Sequence, residues 1–288
     1  MFDTVYFDGI YKRKADVSIS PDDRGFLFGD GAYEVVVAYR GRYFRKREHL
    51  ERLNHSLRGL RIGGLDALSL DPILDDLMRK NDVGSGDVTA YIQVTRGSAV
   101  RKHAFPPADV RPTVFAQLMP VVRDPSFKTG VSVITVPDTR WSRCDIKSVN
   151  LLPNCLANQL AQEAGCIEAI FVRDGVVLEG SLSSFFAVFD GVARTAPKSN
   201  YILAGVTRQA VLDICEREGI SFSEEPIYLT ELQDAEEMFI TGTTREVAPI
   251  IRLDGQPVGN GQPGPFVRRL AELYRAEAEA ATADAKTA

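Results

Sequence analysis

Arg143-Cys-Asp-Ile-Lys-Ser148 holds one lysine between an isoleucine and a serine, a short way after the strand-like run Gly130 to Val136. Small and apolar surroundings strip water from an amine, and cationic neighbours such as Arg140 and Arg143 oppose its protonation. Both effects lower a lysine pKa. A deprotonated amine is the nucleophile that Schiff-base chemistry needs. The same six residues also suit an ordinary solvated loop lysine, so the neighbouring sequence has to decide between the two.

Downstream of Lys147, Leu152 to Gly165 reads as a helix ending on its glycine. Ala169 to Val188 reads as a β-hairpin turned at Asp174-Gly175, a favoured two-residue turn pair. Val206 to Glu218 is a helix, Met238 to Thr241 a short apolar strand, and Phe266 to Ala281 a terminal helix before a frayed tail, Thr282 to Ala288. Upstream, Val5 to Phe7, Gly31 to Ala38 and Thr89 to Thr95 alternate as strands do. His49 to Leu60 puts Leu50, Leu53 and Leu57 on one helical face, and Leu70 to Asn81 is a second helix. Two prolines in Met119-Pro-Val-Val-Arg-Asp-Pro-Ser126 mark a linker. The expectation is a mixed α/β (α+β) chain without a regular βαβ repeat, with an N-terminal domain over 1–120 and a larger domain over 121–288.

Composition narrows the function classes. Of 288 residues, 44% are hydrophobic and 25% charged, and the net charge is −5. That balance offers no basic surface for nucleic acid or an anionic membrane. No run nears the roughly 18 apolar residues of a membrane span, and the start lacks a signal-peptide core. Cys144, Cys155, Cys166 and Cys215 form no C-x-x-C pair and read as reduced cytoplasmic thiols. His49, His55 and His103 have no metal-ligand spacing, so no metal site is expected.

Five further segments carry groups of chemical interest, each with a plainer reading as loop or surface. Glu179 stands beside Gly180 in Leu178-Glu-Gly-Ser-Leu-Ser-Ser-Phe-Phe186, where the backbone can approach a ligand closely. Ile202-Leu-Ala-Gly-Val-Thr-Arg208 leads into a helix whose first amides and Thr207 hydroxyl suit an anion. Thr241-Gly-Thr-Thr244 adds hydroxyl and amide donors. Arg52, in His49-Leu-Glu-Arg-Leu53, is a candidate phosphate ligand. In Thr95-Arg-Gly-Ser-Ala-Val-Arg-Lys-His-Ala-Phe-Pro106, Arg101 and His103 are two apart and share a side if the chain is extended, an arrangement suited to a carboxylate.

Together, in chain order, these segments resemble the class IV (fold-type IV) pyridoxal-phosphate aminotransferases, from about Tyr6 to Leu273. Arg-Gly-Phe-Leu-Phe-Gly-Asp-Gly-Ala-Tyr-Glu at 24–34 is similar to the family's opening motif, Asp145-Ile-Lys147 to its lysine motif and Glu179-Gly-Ser to its cofactor-nitrogen motif. Within the family, Arg96 to His103 is most similar to the D-amino-acid transaminases.

The resemblance implies a two-domain fold with pyridoxal 5'-phosphate between the domains and Lys147 as Schiff-base lysine and proton shuttle. Glu179 would bond the pyridine nitrogen, Arg140 lie near the phenolic oxygen and Leu203 pack on the ring. Arg52, Val206, Thr207 and Thr243 would hold the phosphate, and Tyr33, Arg101 and His103 the substrate carboxylate, the last two across a homodimer interface. A cytoplasmic enzyme passing nitrogen between D-amino acids and 2-oxo acids by a ping-pong cycle is implied. Leu178, Ser184 and Ala204 depart from residues common in the family, which leaves substrate range open. Branched-chain L-amino-acid or (R)-amine transfer, aminodeoxychorismate lyase chemistry and a non-catalytic cofactor-binding module are the alternatives. Arg101 and His103 count against the lyase, and Lys147 with Glu179 against the module.

Overall fold

The computed structural model describes residues 2–121 and 124–283. Their contacts group into two compact units: one takes the chain up to Val121, a short return at Ile146–Asn150 and the chain from Ala278 on; the other takes the rest. Lys147, expected within 121–288, thus sits on a segment that packs with the first unit.

In the first unit, β1 (Thr4–Phe7), β2 (Ile10–Arg13), β3 (Gly31–Tyr39), β4 (Arg42–Tyr43), β5 (Val88–Thr95) and β6 (Thr113–Pro120) form an antiparallel sheet. Its order is β2-β1-β6-β5-β3-β4. A short helix, α1 (Arg24–Phe28), precedes β3; α2 (Lys46–Leu60) and α3 (Asp71–Lys80) follow β4. Leu50, Leu53 and Leu57 of α2 are buried with Leu74 and Leu77 of α3 against Val36, Ala90 and Ile92 of the sheet. Each buried leucine contributes about 1.5–3 kcal/mol, which is why the apolar stripe on α2 was readable. Strand β6 runs through Met119 and Pro120, so this part of the expected linker is strand; residues 122–123 of it lie outside the described residues, and α4 (Ser126–Thr129) comes next in the chain.

The second unit holds β7 (Val131–Pro137), α5 (Leu152–Glu163), β8 (Glu168–Arg173), β9 (Val176–Gly180), β10 (Ser184–Phe189), β11 (Val192–Thr195), α6 (Val206–Glu218), β12 (Phe222–Glu224), β13 (Ile227–Tyr228), β14 (Glu237–Gly242), β15 (Glu246–Leu253) and β16 (Gln256–Pro257). The final helix, α7 (Pro265–Thr282), runs one residue past its expected span at each end and takes in Thr282, which is buried and not frayed, while residues 284–288 of the expected tail lie outside the described residues. Strand order is β12-β11-β10-β14-β15-β7-β8-β9-β13, with β16 on β15. One extra pairing, Ser184 with Glu179, joins β10 to β9, so the run β10-β14-β15-β7-β8-β9 closes on itself. Phe185, Ile240, Ile170, Val133 and Ala248 pack together in its core.

Two expectations need correction here. The hairpin turned at Asp174-Gly175 ends at Gly180; Ser184–Phe189 is a separate strand whose long partner is β14. An apolar run interrupted by Ser181 to Ser183 is a strand break, and the alternation on either side hid it. The 152–165 helix ends at Glu163, before Gly165.

Candidate active site

In the first unit, Lys147 is fixed by its backbone. Tyr33 N–H donates to the Lys147 carbonyl at 3.0 Å, Val149 N–H to the Gly31 carbonyl at 3.0 Å, and Lys147 N–H to Ser56 Oγ at 3.0 Å. The return segment therefore runs beside the start of β3, with Ala32 opposite Ser148. This sets the Lys147 amine 3.3 Å from the Tyr33 hydroxyl and 4.3 Å from that ring's centre.

Next to Tyr33, Glu34 is completely buried. Its carboxylate accepts Arg52 Nε at 2.7 Å, Arg52 Nη2 at 2.9 Å and His49 Nδ1 at 2.8 Å. Burial pushes the Glu34 carboxyl upward, but the Arg52 charge and the bonds from His49 and Arg52 hold it far below the ordinary carboxylate range. Burial also holds His49 below the usual histidine value. His49, Arg52 and Ser56 recur at three- and four-residue steps on α2, embedded in its leucine stripe. That spacing is the signal by which His49 and Ser56 could have been found; Glu34, on an apolar strand, offered none beyond its place in the opening motif.

Glu34→Gln is expected to destabilise the protein by about 3–5 kcal/mol, because Arg52 would keep a buried charge without its anion. The sign with pH follows from both shifts. The depressed Glu34 stabilises above its unfolded value of 4.5, and the depressed His49 above 6.5, each contribution being lost as pH falls toward the folded value. Urea midpoints should fall as pH drops below about 6.5 through His49 and further below about 4.5 through Glu34; Glu34→Gln should lack the second fall, and its persistence there would remove Glu34 from the account.

Arg101 and His103 lie exposed on a bent loop, not a strand, yet both approach the Phe28 ring, at 5.2 and 5.7 Å. Among the described residues, no hydrogen bond links them to Tyr33 or Lys147 within this unit.

In the second unit, paired positions on neighbouring strands share a face, so the pairings Ser184–Glu179 and Ser184–Thr241 align three side chains in one row. Glu179 accepts Arg140 Nη1 at 2.5 Å and the Leu203 N–H at 3.0 Å. Arg140 also pairs with Asp138, which the sequence reading missed, and stacks on Phe171 at 4.1 Å. Burial works against the Arg140 charge, but Glu179 and Asp138 drive its pKa upward. Arg143 is paired with Asp145.

Beside Ser184, the middle of that row, Gly205 leads into α6 with no side chain capping the helix. A Cβ at Gly205 would lie 2.6 Å from Ser184 Oγ. Val206 and Thr207 follow as buried residues. The Thr241 hydroxyl is buried with no hydrogen-bond partner among the described residues. Thr243 stands on the turn after β14, where Gly242 adjoins Leu182 and Ser183. Bare amides at a helix start, an orphaned hydroxyl and a glycine with no room for a side chain fit a phosphate group, and Glu179 lies on the same face.

A lysine amine held against a tyrosine, and a buried carboxylate on a row beside an uncapped helix start, are groups an aminotransferase would use. Residues 31–253 match the amino-transferase class IV model. The chain is 41% identical to a D-alanine aminotransferase of Bacillus licheniformis over 92% of its own length and 94% of the relative's. Its structure resembles that of the branched-chain aminotransferase of the archaeon Thermoproteus uzoniensis with norvaline, with TM-score 0.85 and 27% identity over 96% of this chain and 94% of that one. It also resembles a branched-chain amino acid aminotransferase complexed with N-(5'-phosphopyridoxyl)-L-glutamate, with TM-score 0.87 and 26% identity over 98% of this chain and 95% of that one. The chain belongs to the class IV aminotransferases and has their fold. The family implies pyridoxal phosphate as its cofactor.

Proposed function

We infer that this enzyme transfers the amino group of D-amino acids, D-alanine among them, to 2-oxo acids such as 2-oxoglutarate by a ping-pong cycle on pyridoxal 5'-phosphate. The observation that carries this reading is the 38–41% identity to D-alanine aminotransferases over more than nine-tenths of the chain. When bound, the cofactor supplies an electrophilic carbon for the amino group and a ring that accepts electrons. Lys147 would attach it covalently and carry the proton between substrate Cα and cofactor C4', with the Tyr33 hydroxyl orienting the amine. Glu179 would hold a proton on the ring nitrogen and Arg140 would face the phenolic oxygen and fix Glu179; Leu203 would pack on the ring. Arg52, Val206, Thr207 and Thr243 would bind the phosphate. Tyr33, Arg101 and His103 would bind the substrate carboxylate.

A homodimer is supported by α5, which exposes Leu152, Leu156 and Leu160 at four-residue steps, at 70%, 59% and 52%. An apolar stripe of that kind on a helix suits a second copy, and Arg101 and His103 would serve the partner's site. No described helix is long and apolar enough to cross a membrane, and we place the enzyme in the cytoplasm.

The second reading, branched-chain L-amino-acid transfer, is favoured by the structural neighbours of that activity at 25–27% identity. A panel of D- and L-amino acids with 2-oxoglutarate, scored by product enantiomer, separates the two. D-alanine should react well above L-leucine and L-valine; a clear preference for the latter would move the enzyme to the branched-chain group.

A further inference from the structure

The loop that carries Arg101 and His103 is built in from below. Gly97 opens it with its Cα so close to the far side that a Cβ would fall 2.0 Å from the Arg111 carbonyl oxygen, and its φ of +95° suits only glycine without strain. Along the near side, the chain around α1 is stitched to the loop's first residues. Arg24 N–H donates to the Gly97 carbonyl at 3.0 Å, Arg96 N–H to the Asp30 carbonyl at 3.0 Å, and Ala99 N–H to the Asp22 carbonyl at 3.2 Å.

The buried Arg24 side chain then reaches the loop's tip. Its Nη1 donates to the Lys102 carbonyl at 2.7 Å and to the Ala104 carbonyl at 3.4 Å, the two peptide oxygens that flank His103. Arg24 Nε is held by Asp30 at 2.8 Å, and Asp30 also takes two bonds from Arg96, at 2.7 and 2.9 Å. Arg96 donates onward to the carbonyls of Leu60 and Arg61 at the end of α2 and lies 3.7 Å under the Phe105 ring. Burial raises the Asp30 carboxyl, but Arg96 and Arg24 overcome this and hold it below its usual value, so it stays an anion between them. The Phe28 ring completes the support: Arg24 lies 4.7 Å from its centre, and Arg101 and His103 approach the same ring.

Two exposed, flexible side chains that must meet a small carboxylate lose rotamer and backbone freedom on binding. A loop fixed beforehand at both carbonyls around His103 avoids that loss. We propose that Arg24, with Phe28, is a positioning residue that sets substrate affinity by holding Arg101 and His103 in their carboxylate-binding geometry. This rests on the reading of Arg101 and His103 as carboxylate ligands. Arg24 touches neither substrate nor cofactor and acts only through the loop.

The test is a double-mutant cycle in the holoenzyme with D-alanine. Arg24→Gln should raise KM roughly tenfold, the effect of about one charge-assisted hydrogen bond, while kcat and the visible cofactor band stay near those of the parent. In an Arg101→Ala/His103→Ala background the same change should add less than about a twofold further rise, because both groups that Arg24 positions are gone. Amide hydrogen exchange over 98–105 should quicken in Arg24→Gln, a readout independent of turnover. If Arg24→Gln does not fold, Phe28→Leu enters the same cycle with the same expected pattern. A raised KM in Arg101→Ala together with an unchanged KM in Arg24→Gln and Phe28→Leu overturns the proposal and leaves the carboxylate reading standing. An unchanged KM in Arg101→Ala overturns both. Full additivity between Arg24→Gln and the Arg101→Ala/His103→Ala pair would show Arg24 to be merely structural and likewise overturn the proposal.

Discussion

Lys147→Ala is expected to reduce transamination to the background rate and to abolish the parent enzyme's yellow absorption, while leaving the fold intact. The amine is proposed to do two things: attach the cofactor and carry a proton. Removing a positioned acid–base group alone costs about 10²–10⁴-fold, and loss of the nucleophile adds to this. The fold should survive because what holds the return segment in place is backbone: the Tyr33, Val149 and Ser56 bonds are made by main-chain atoms of Lys147, Gly31 and Val149. Only one side-chain bond, to Tyr33, disappears. Single-turnover assays with D-alanine, alongside a urea melt, measure both halves of this expectation. Near-normal turnover in the purified variant would remove Lys147 from the chemistry; lost turnover with a collapsed melt would mean the segment, and not the amine, had been tested.

The sequence disclosed the parts of this molecule that rest on local pattern. The α2 leucine stripe, α6 and the Asp174-Gly175 turn are each specified by neighbours a few residues away, and they lie where the pattern put them. What stayed hidden depends on pairing across long separations. Nothing near Ile146 says that the return segment packs beside β3, more than a hundred residues earlier. Nothing near Ser184 says that its strand pairs with both β9 and β14, so one apparent hairpin is three strands. The catalytic candidates were legible through motif resemblance, but their supports were not. Glu34 behind Arg52, Asp138 behind Arg140 and Arg24 beneath His103 are buried ionic groups whose meaning comes only from what the fold sets against them. Charged residues are seldom fully buried without a partner, so such groups are easily taken for surface until their partners are seen.

Glu179 carries the second large expected effect. Glu179→Gln should keep the cofactor bound yet lower kcat by at least about a hundredfold, some 2.7 kcal/mol of barrier, because a neutral amide cannot hold the ring-nitrogen proton that makes the ring a good electron acceptor. Glutamine preserves size but has one acceptor oxygen where Glu179 uses two, so with the charge goes one of the bonds from Arg140 and the Leu203 N–H. Glu179→Lys should do more, and the surroundings say why. Arg140 and Arg173 both pair with Asp138, and Arg140 with Glu179, so two cations face two anions. Glutamine leaves one positive charge in excess there; lysine leaves two, beside a guanidinium whose side chain is only 6% exposed. Leaving a buried charge uncompensated destabilises, so both variants should lose stability, Glu179→Lys more than Glu179→Gln, and the fall of kcat in Glu179→Gln should exceed what its smaller stability loss explains. The comparison to make is kcat against the urea midpoint for parent, glutamine and lysine enzymes. A glutamine enzyme with parental kcat would reduce Glu179 to a counter-ion for Arg140. A glutamine enzyme that loses stability in step with activity would mean that the carboxylate serves the Arg140 network first and the ring nitrogen only through it.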